Sequence, residues 1–132
     1  MAECLFCAIV AGDIPATKVL ETDRILAFRD INPQAPTHVL VIPKAHYPDV
    51  AALGTADAGL LGELITAAHR VAMAEGVAET GYRLVFNTGA QAGQTVPHVH
   101  GHVLGGRPLA WPPARSSQAP APTRPPDSPD AG

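Results

Sequence analysis

The most constraining feature of this chain is a run in which histidine alternates with small or apolar residues. Residues 97–106 read PHVHGHVLGG, so His98, His100 and His102 stand at every second position. Successive side chains of a β-strand point to opposite faces, and a strand would therefore place all three imidazoles on one face. The pattern predicts a strand with apolar packing on one side and a row of histidines on the other.

Three interpretations fit such a row of histidines. A solvated or hydrogen-bonded bystander is common for one histidine, but an apolar core does not favour three of them together. Histidine is also the commonest metal ligand in proteins. The third interpretation is phosphoryl chemistry, in which one neutral imidazole attacks phosphorus while its neighbours bind the charged oxygens. The spacing alone does not separate the last two.

The other apolar segments predict a small antiparallel sheet. Residues 19–20 and 25–28 are short apolar stretches joined by a polar turn, which is typical of a hairpin. Residues 38–42 are almost continuously apolar between two prolines, which predicts a central strand buried on both faces. Residues 82–86 predict a further strand, and the short loop between it and the histidine run favours antiparallel pairing.

Two helices are predicted beside this sheet. Residues 5–10 have the apolar spacing of a short amphipathic helix that ends at Gly12. A long helix is predicted with Thr55 as its N-cap and Gly76 as its stop. The sequence therefore predicts an α+β fold, with an antiparallel sheet of about five strands, one long helix and one short helix.

Composition defines the domain and its partners. Of the 14 prolines, seven lie from Pro112 onward, where no large apolar residue follows. Such a segment cannot offset its ordering entropy, so residues 114–132 are predicted to be a disordered tail behind one domain at residues 1–113. The net charge of -3 offers no basic stripe, and no secretory or membrane segment is apparent. We expect a cytoplasmic protein that binds neither nucleic acid nor a membrane.

The loop before the histidine run and the two cysteines also indicate chemistry. The loop, TGAQAGQT at residues 88–95, is small enough to bring backbone N–H groups, with the side chains of Gln94 and Thr95, close to an anion. An ordinary polar loop is the alternative. Cys4 and Cys7 have the spacing of a metal-binding or redox pair, and two thiols buried on an apolar helix are the other interpretation.

Together these motifs resemble the histidine triad family. The matching blocks are CLFCAI at residues 4–9, DINPQAPTH at 30–38, VIPK at 41–44 and GQTVPHVHGH at 93–102. The ending, VLGGR at 103–107 with WPP at 111–113, is similar to the branch of nucleoside phosphoramidases called histidine triad nucleotide-binding proteins. The resemblance covers residues 4 to 113 and implies the small α+β fold of that family.

The resemblance implies a hydrolase that releases AMP or GMP from a phosphorus–nitrogen linked amine, through a nucleotidyl-histidine intermediate and without a catalytic cofactor. The implied catalytic residues are His100 as nucleophile, His102 at the phosphate, His38 as support and Thr95 at the leaving amine. The backbone carbonyl of His98 is implied to hold the other nitrogen of His100. The implied nucleotide-binding residues are Asp30, Ile31, Asn87, Gly93, Gln94, Thr95, His100 and His102.

Two of these assignments have structural alternatives. Asp30 is implied to bind the ribose hydroxyls and Ile31 to lie against the base, but an aspartate before Asn32 and Pro33 is also typical of a turn. His38 has the alternative of a hydrogen-bonded core histidine. Thr95 stands where this branch commonly has serine, and either hydroxyl suits the role.

For the cysteines, the resemblance implies a structural zinc bound by Cys4, Cys7, His46 and His98. Four protein ligands leave no open position, so such an ion would not be catalytic. The resemblance also implies a homodimer, and a large apolar ring at Trp111 before the predicted tail is an expected interface element.

Two further functions remain open: a nucleotide-binding interaction module with little turnover, and a dinucleoside polyphosphate hydrolase.

One departure from the family pattern is Gly101, because a bulky apolar residue usually separates the second and third histidines. A glycine there removes packing from the other face of the strand, beside the nucleophile. We expect a neighbouring side chain to fill the space.

Overall fold

The computed structural model describes residues 4–113. Its helices are α1 (Leu5–Ala11), α2 (Val50–Ala56) and α3 (Ala58–Ala74), and its strands are β1 (Lys18–Glu21), β2 (Ile25–Arg29), β3 (Thr37–Pro43), β4 (Tyr82–Phe86) and β5 (Gly101–Gly105). Within that described part of the chain, no helix has the length and apolar character needed to cross a bilayer. The predicted disordered tail, residues 114–132, lies outside the described residues.

The five strands form one antiparallel sheet. Their order is β1-β2-β3-β5-β4, so β5 is inserted between β3 and β4 although it comes last in the chain. This confirms the predicted α+β class and the predicted hairpin of β1 and β2. Every residue of β3 is buried, because β2 and β5 flank it and side chains cover both faces of the sheet. The continuous apolar run predicted this central position.

Each face of the sheet carries its own apolar layer. The larger layer lies under α3 and includes Leu64, Val71, Val99 and Val103. The smaller layer lies under α1, where Phe6 and Ile9 pack on β2 and β3. The helix α1 ends at Gly12, as predicted, because the left-handed backbone at this residue (φ 85°) is one that glycine adopts without steric cost.

The start of the predicted long helix is wrong. The predicted helix corresponds to α3, which begins at Ala58 rather than directly after Thr55, and a further helix that was not predicted, α2, precedes it and meets it at Asp57. The Asp57 carboxylate accepts a hydrogen bond from the Leu60 N–H at 3.0 Å and so caps α3. Thr55 lies inside α2, where its hydroxyl donates to the Ala51 carbonyl at 3.0 Å. Gly76 follows the end of α3 with a positive φ of 75°, as a helix stop does.

The histidine run is a strand only in its second half. β5 begins at Gly101, so His98 and His100 lie in the irregular segment that leads into it. The reason is that Val99 donates its N–H to the Tyr47 carbonyl at 2.8 Å, which lies beyond the end of β3. The predicted alternation of faces still holds, because the odd-numbered valines pack under α3 while the ring of Phe6 from α1 contacts His98 and His100.

The space beside Gly101 is filled, as expected. A Cβ atom added at this glycine would lie 2.8 Å from Leu84 Cδ1 and 3.0 Å from Phe86 Cζ. Both side chains belong to β4, which pairs with β5 and turns them toward the missing side chain. The two large residues therefore replace the bulk that the family usually places between its second and third histidines.

Candidate active site and metal centre

His100 has the geometry of a nucleophile. Its Nδ1 lies 2.7 Å from the backbone carbonyl oxygen of His98. A carbonyl only accepts, so Nδ1 carries the proton and Nε2 keeps its lone pair. The ring is 8% exposed, and the ring of Phe6 meets it edge-on at 4.9 Å between centroids. This carbonyl contact is the one that the family resemblance implies, and in the neutral ring it leaves Nε2 as the nitrogen without a proton.

His38 and His102 form a second hydrogen-bonded unit. The backbone N–H of Gln34 donates to His38 Nδ1 at 3.0 Å, so this nitrogen is an acceptor. The proton of neutral His38 is therefore on Nε2, which lies 2.9 Å from His102 Nδ1 and donates to it. His102 must then carry its own proton on Nε2. That atom is buried and has no hydrogen-bond partner among residues 4–113.

The surroundings of these two histidines keep them neutral. Burial, together with the neighbouring His100 and His38, lowers the pKa of His102 to about 4, against a smaller opposing effect of Asp30. Burial also lowers the pKa of His38, although the Asp30 carboxylate at 3.4 Å acts in the opposite direction. Near neutral pH, His102 therefore presents a neutral N–H donor rather than a positive charge.

His100 and His102 line a single cavity of about 280 Å³. The polar lining includes His100, His102, Thr95 and Asp30. The apolar lining comes from α1, from the segment after it and from the sheet, and includes Leu5, Phe6, Ile9, Ile14, Pro15, Phe28, Ile31, Leu40 and Val96. A largely apolar cavity with a few convergent polar groups is typical of a small-molecule site.

Asp30 makes the turn contact considered for it and also lines the cavity. Its Oδ1 accepts the Asn32 N–H at 2.8 Å, as an aspartate at a turn does. Its Oδ2 lies 3.4 Å from His38 Nε2, and the residue also lines the cavity. Ile31 beside it is 100% exposed at the cavity rim. An isoleucine left wholly in water at this position is available to contact a bound ligand.

The loop of residues 88–95 does not direct the Gln94 side chain toward an anion site, which was its predicted role. The Gln94 side chain, expected to contact an anion, instead braces the loop. Its Oε1 accepts the Gly89 N–H at 2.9 Å, and its Nε2 donates to the carbonyls of Pro48 and Val96 at 2.7 and 3.0 Å. Of the loop residues predicted to bind nucleotide, Thr95 lines the cavity, while Asn87, Gly93 and Gln94 are outside its lining.

A second cluster lies behind the first histidine of the run. Cys4, Cys7, His46 and His98 bring their sulfur and nitrogen atoms within 4.8 Å of one another. His98 Nδ1 lies 3.4 Å from Cys4 Sγ, 3.5 Å from Cys7 Sγ and 3.2 Å from His46 Nδ1. One imidazole lone pair cannot satisfy three such neighbours by hydrogen bonding. The convergence is what a shared cation would produce.

The spacing in this cluster fits zinc. Tetrahedral Zn–S and Zn–N bonds place sulfur and nitrogen about 3.6 Å apart, and two nitrogens about 3.3 Å apart. The observed separations of 3.4, 3.5 and 3.2 Å agree with those edges. His98 Nε2 donates to the Pro43 carbonyl at 2.9 Å, which leaves Nδ1 unprotonated toward the cluster. Burial, more than the neighbouring Cys4, raises the pKa of the Cys7 thiol, so a cation is needed to favour its thiolate.

Several residues of the site were not identified from the sequence. Phe6 separates the cysteines on α1 and packs against His100, but its apolar spacing predicted only a core position. Val96 lines the cavity with no sequence signal that distinguishes it. The Gln34 contact uses a backbone N–H, which side-chain identity does not reveal. The only sequence signal around Gln34 was the turn-forming composition of residues 30–36, which predicts a turn but not its hydrogen-bond partner.

Comparisons with known proteins agree with this geometry. A family model described as HIT domain matches residues 11–109. The purine nucleoside phosphoramidase of Escherichia coli (strain K12) is 48% identical over 107 residues, which cover 81% of this chain and 90% of that protein. An uncharacterized HIT-like protein of Synechocystis sp. is 51% identical over 114 residues, covering 86% of this chain and 99% of that protein.

Solved structures show the same fold. A HIT family hydrolase from Legionella pneumophila Philadelphia 1 superposes with a TM-score of 0.81 at 53% identity, covering 84% of this chain and 99% of that chain. A histidine triad protein from Clostridium difficile superposes with a TM-score of 0.78 at 40% identity, covering 83% of this chain and 97% of that one. The similarity therefore extends over nearly the whole described domain.

Proposed function

This chain belongs to the HIT domain family, and we propose that it hydrolyses purine nucleoside phosphoramidates through a covalent intermediate on His100. The similar proteins named above support an enzyme of the HIT type. The observation that supports the covalent mechanism is a pair of histidines with opposite tautomers that line one cavity. His100 offers a lone pair at Nε2, and His102 offers an N–H at Nε2.

In the first step, the Nε2 lone pair of His100 forms a bond to the α-phosphorus, and the phosphorus–nitrogen bond of the substrate breaks. The amine leaves with that electron pair and takes up a proton from solvent, while the Thr95 hydroxyl at the cavity wall hydrogen-bonds it. His102 donates its Nε2–H to a phosphate oxygen as charge develops there. The His98 carbonyl stabilises the positive charge that the nucleotidyl-imidazole ring acquires, because it accepts the Nδ1 proton.

In the second step, water attacks the phosphorus and the bond to His100 Nε2 breaks. The electron pair returns to the imidazole, the water releases a proton to solvent, and the nucleoside monophosphate is set free. Because the ring is held at Nδ1 throughout, no side-chain base is needed to restore the nucleophile. His38 supports both steps by keeping the proton of His102 on Nε2.

The cavity supports a purine nucleotide as the bound group. Its apolar wall from α1 and β2 suits a planar base, with Ile31 at the rim, and Asp30 is placed to accept hydrogen bonds from ribose hydroxyls. Since Gln94 braces its own loop, we assign it, with Gly93 and Asn87, to shaping the segment beside the leaving group. AMP and GMP are both accommodated by this proposal.

The test is AMP release from an AMP–amine phosphoramidate by His100→Ala, with His69→Gln as a matched control. His69 is an exposed histidine on α3, outside the cavity, and its Nδ1 contacts the Tyr82 hydroxyl. We expect His100→Ala to lose turnover while keeping its circular dichroism spectrum, and His69→Gln to retain turnover. Turnover by folded His100→Ala would overturn the mechanism.

Two measurements separate this function from the alternatives. Mass spectrometry of acid-quenched enzyme and substrate should show a nucleotidyl adduct on the peptide that contains His100. A nucleotide-binding interaction module would bind AMP without such an adduct. A panel of AMP and GMP phosphoramidates and dinucleoside polyphosphates, compared by kcat/KM, tests the substrate class, and a preference for the polyphosphates would favour the third function.

We also propose that Cys4, Cys7, His46 and His98 hold one zinc ion. When bound, the ion supplies a structural cross-link between α1 and the segment that leads into β5, and no catalytic step uses it. The observation that supports this is the agreement of the atom spacings with tetrahedral edges. Elemental analysis should give one zinc per chain, and protein purified without added metal that contains none would remove the proposal.

The surface beside β4 supports a homodimer. β4 is an edge strand of the sheet, and nearby α3 exposes Ile65 (47%) and Met73 (54%), which lie on the same side of the helix. An edge strand flanked by apolar side chains is suited to pair with its own copy about a two-fold axis. Trp111, 52% exposed and 5.7 Å from the Arg83 guanidinium, extends this apolar surface. The cytoplasmic location remains a prediction.

A further inference from the structure

A hydrogen-bond relay runs from the segment after β5 to the donor in the cavity. Arg107 Nη2 donates to the Gln34 backbone carbonyl at 2.8 Å, and the N–H of Gln34 donates to His38 Nδ1 at 3.0 Å. His38 Nε2 then donates to His102 Nδ1 at 2.9 Å. The relay ends at His102 Nε2, a buried atom that lacks a partner among the described residues, in a residue that lines the cavity.

The Gln34 N–H determines the direction of the two hydrogen bonds that involve His38. A backbone N–H cannot accept, so His38 Nδ1 cannot carry a proton while Gln34 donates to it. Neutral His38 then has its proton on Nε2, and His102 Nδ1 must accept it. Reversing the pair would leave His38 with two acceptor nitrogens and no proton. The position of one peptide group therefore decides which nitrogen of His102 carries hydrogen.

That peptide group belongs to an exposed turn. Residues 30–36 connect β2 to β3, and Gln34 is exposed within them. Inside the turn, Gln34 Nε2 donates to the Asn32 carbonyl at 3.0 Å. Arg107 holds the same residue from outside, and its Nη1 also donates to the Pro108 carbonyl at 2.9 Å, which orients the guanidinium. The fork geometry of arginine allows both contacts at once, which a lysine ammonium at that reach does not reproduce.

We propose that Arg107 is a positioning residue for the reaction: by holding Gln34, it keeps the His102 proton on Nε2, where it meets the substrate phosphate. The inference rests on the proposed function for what His102 donates to, whereas the tautomer itself belongs to the free protein. Asp30 lies 3.4 Å from His38 Nε2 and favours the same tautomer. Loss of Arg107 therefore gives a mixture of tautomers rather than complete reversal.

The experiment compares the full chain with Arg107→Ala and Arg107→Lys, using Arg24→Ala as the control. Arg24 is an exposed arginine that donates to the Asp57 carboxylate at 3.3 Å, outside the relay. Side-chain 15N NMR of histidine-labelled protein at neutral pH reports which ring nitrogen of each histidine is protonated. Steady-state hydrolysis of an AMP–amine phosphoramidate gives kcat and KM separately.

We expect His102 protonated at Nε2 and His100 at Nδ1 in the unaltered chain and in Arg24→Ala. In both Arg107 variants, His102 should show mixed tautomers while His100 is unchanged, and kcat should fall about 2- to 10-fold with KM nearly constant, the range expected for one net hydrogen bond. An unchanged His102 tautomer in folded Arg107 variants would overturn the inference. Changed tautomers in a chain that hydrolyses no phosphoramidate would overturn the proposed function and leave the relay standing.

Discussion

The neutral state of buried His102 predicts a specific weakness toward acid. The pKa of an unperturbed histidine is 6.5, and burial with two neighbouring imidazoles lowers that of His102 to about 4. As pH falls, the unfolded chain therefore takes up this proton before the folded protein does. His102 has no effect on stability above pH 6.5, and its protonation in the unfolded chain lowers the free energy of unfolding progressively as the pH falls from 6.5 to about 4.

The size of the effect follows from linkage. Between about pH 7 and about pH 5, the unfolded state comes to bind nearly one more proton at this residue, and integration over the interval gives about 2 kcal/mol. The other groups that face His102 are His38, His100 and Asp30. We therefore compare the unaltered chain with His102→Gln. Both proteins contain the other three groups, so most of the effect of their titration cancels when the two losses of stability are subtracted.

The assay is urea unfolding of both proteins at the two pH values. We expect the unaltered chain to lose about 2 kcal/mol more unfolding free energy on acidification than His102→Gln does. Equal losses in the two proteins would show that His102 keeps an ordinary pKa in the fold. The inferred neutral N–H donor in the cavity would then lose its electrostatic support.

Three further predictions concern packing, metal and assembly. Gly101→Leu should lower the unfolding free energy by about 1 to 3 kcal/mol in urea titrations, because a Cβ atom at this position would lie 2.8 Å from Leu84 Cδ1. Adding Leu84→Ala to that variant should recover part of the lost stability. If the effects of the two substitutions simply add, the proposed contact between them is contradicted. Cys7→Ser should purify with less than one zinc per chain by elemental analysis and melt at a lower temperature than the unaltered chain. Ile65→Lys should convert dimer to monomer by sedimentation velocity with an unchanged circular dichroism spectrum, whereas a dimer that persists would move the interface elsewhere.

The sheet was predictable because its signals are local and repeated. A continuous apolar run predicted the central position of β3, and a short loop favoured antiparallel pairing of β4 and β5. The start of α3 was not predictable, because Thr55 and Asp57 are both good N-cap residues two positions apart. Only the packing of α2 and α3 on the sheet decides that the chain breaks at Asp57.

For the site, residue types predicted the participants better than their contacts. The alternation of histidines placed His100 and His102 on one side of the chain, where their rings lie 5.0 Å apart. The braced Gln94 and the relay through Gln34 depend on backbone carbonyls and N–H groups of distant segments. Every residue has those groups, so their partners are known only once the chain is folded.

The cysteine cluster and the cavity join the two ends of the described domain, and this affects how the protein is made. Cys4 and His98 are 94 positions apart in the chain, and β5 must enter between two strands to bring them together. Contacts of such long range carry a large loop-closure entropy and tend to form late in folding. On the ribosome, the cysteines and the α1 wall of the cavity emerge long before the nucleophile does. A nascent chain that ends before residue 98 thus carries two thiols without their buried imidazole neighbour, and it lacks the histidines of the cavity wall.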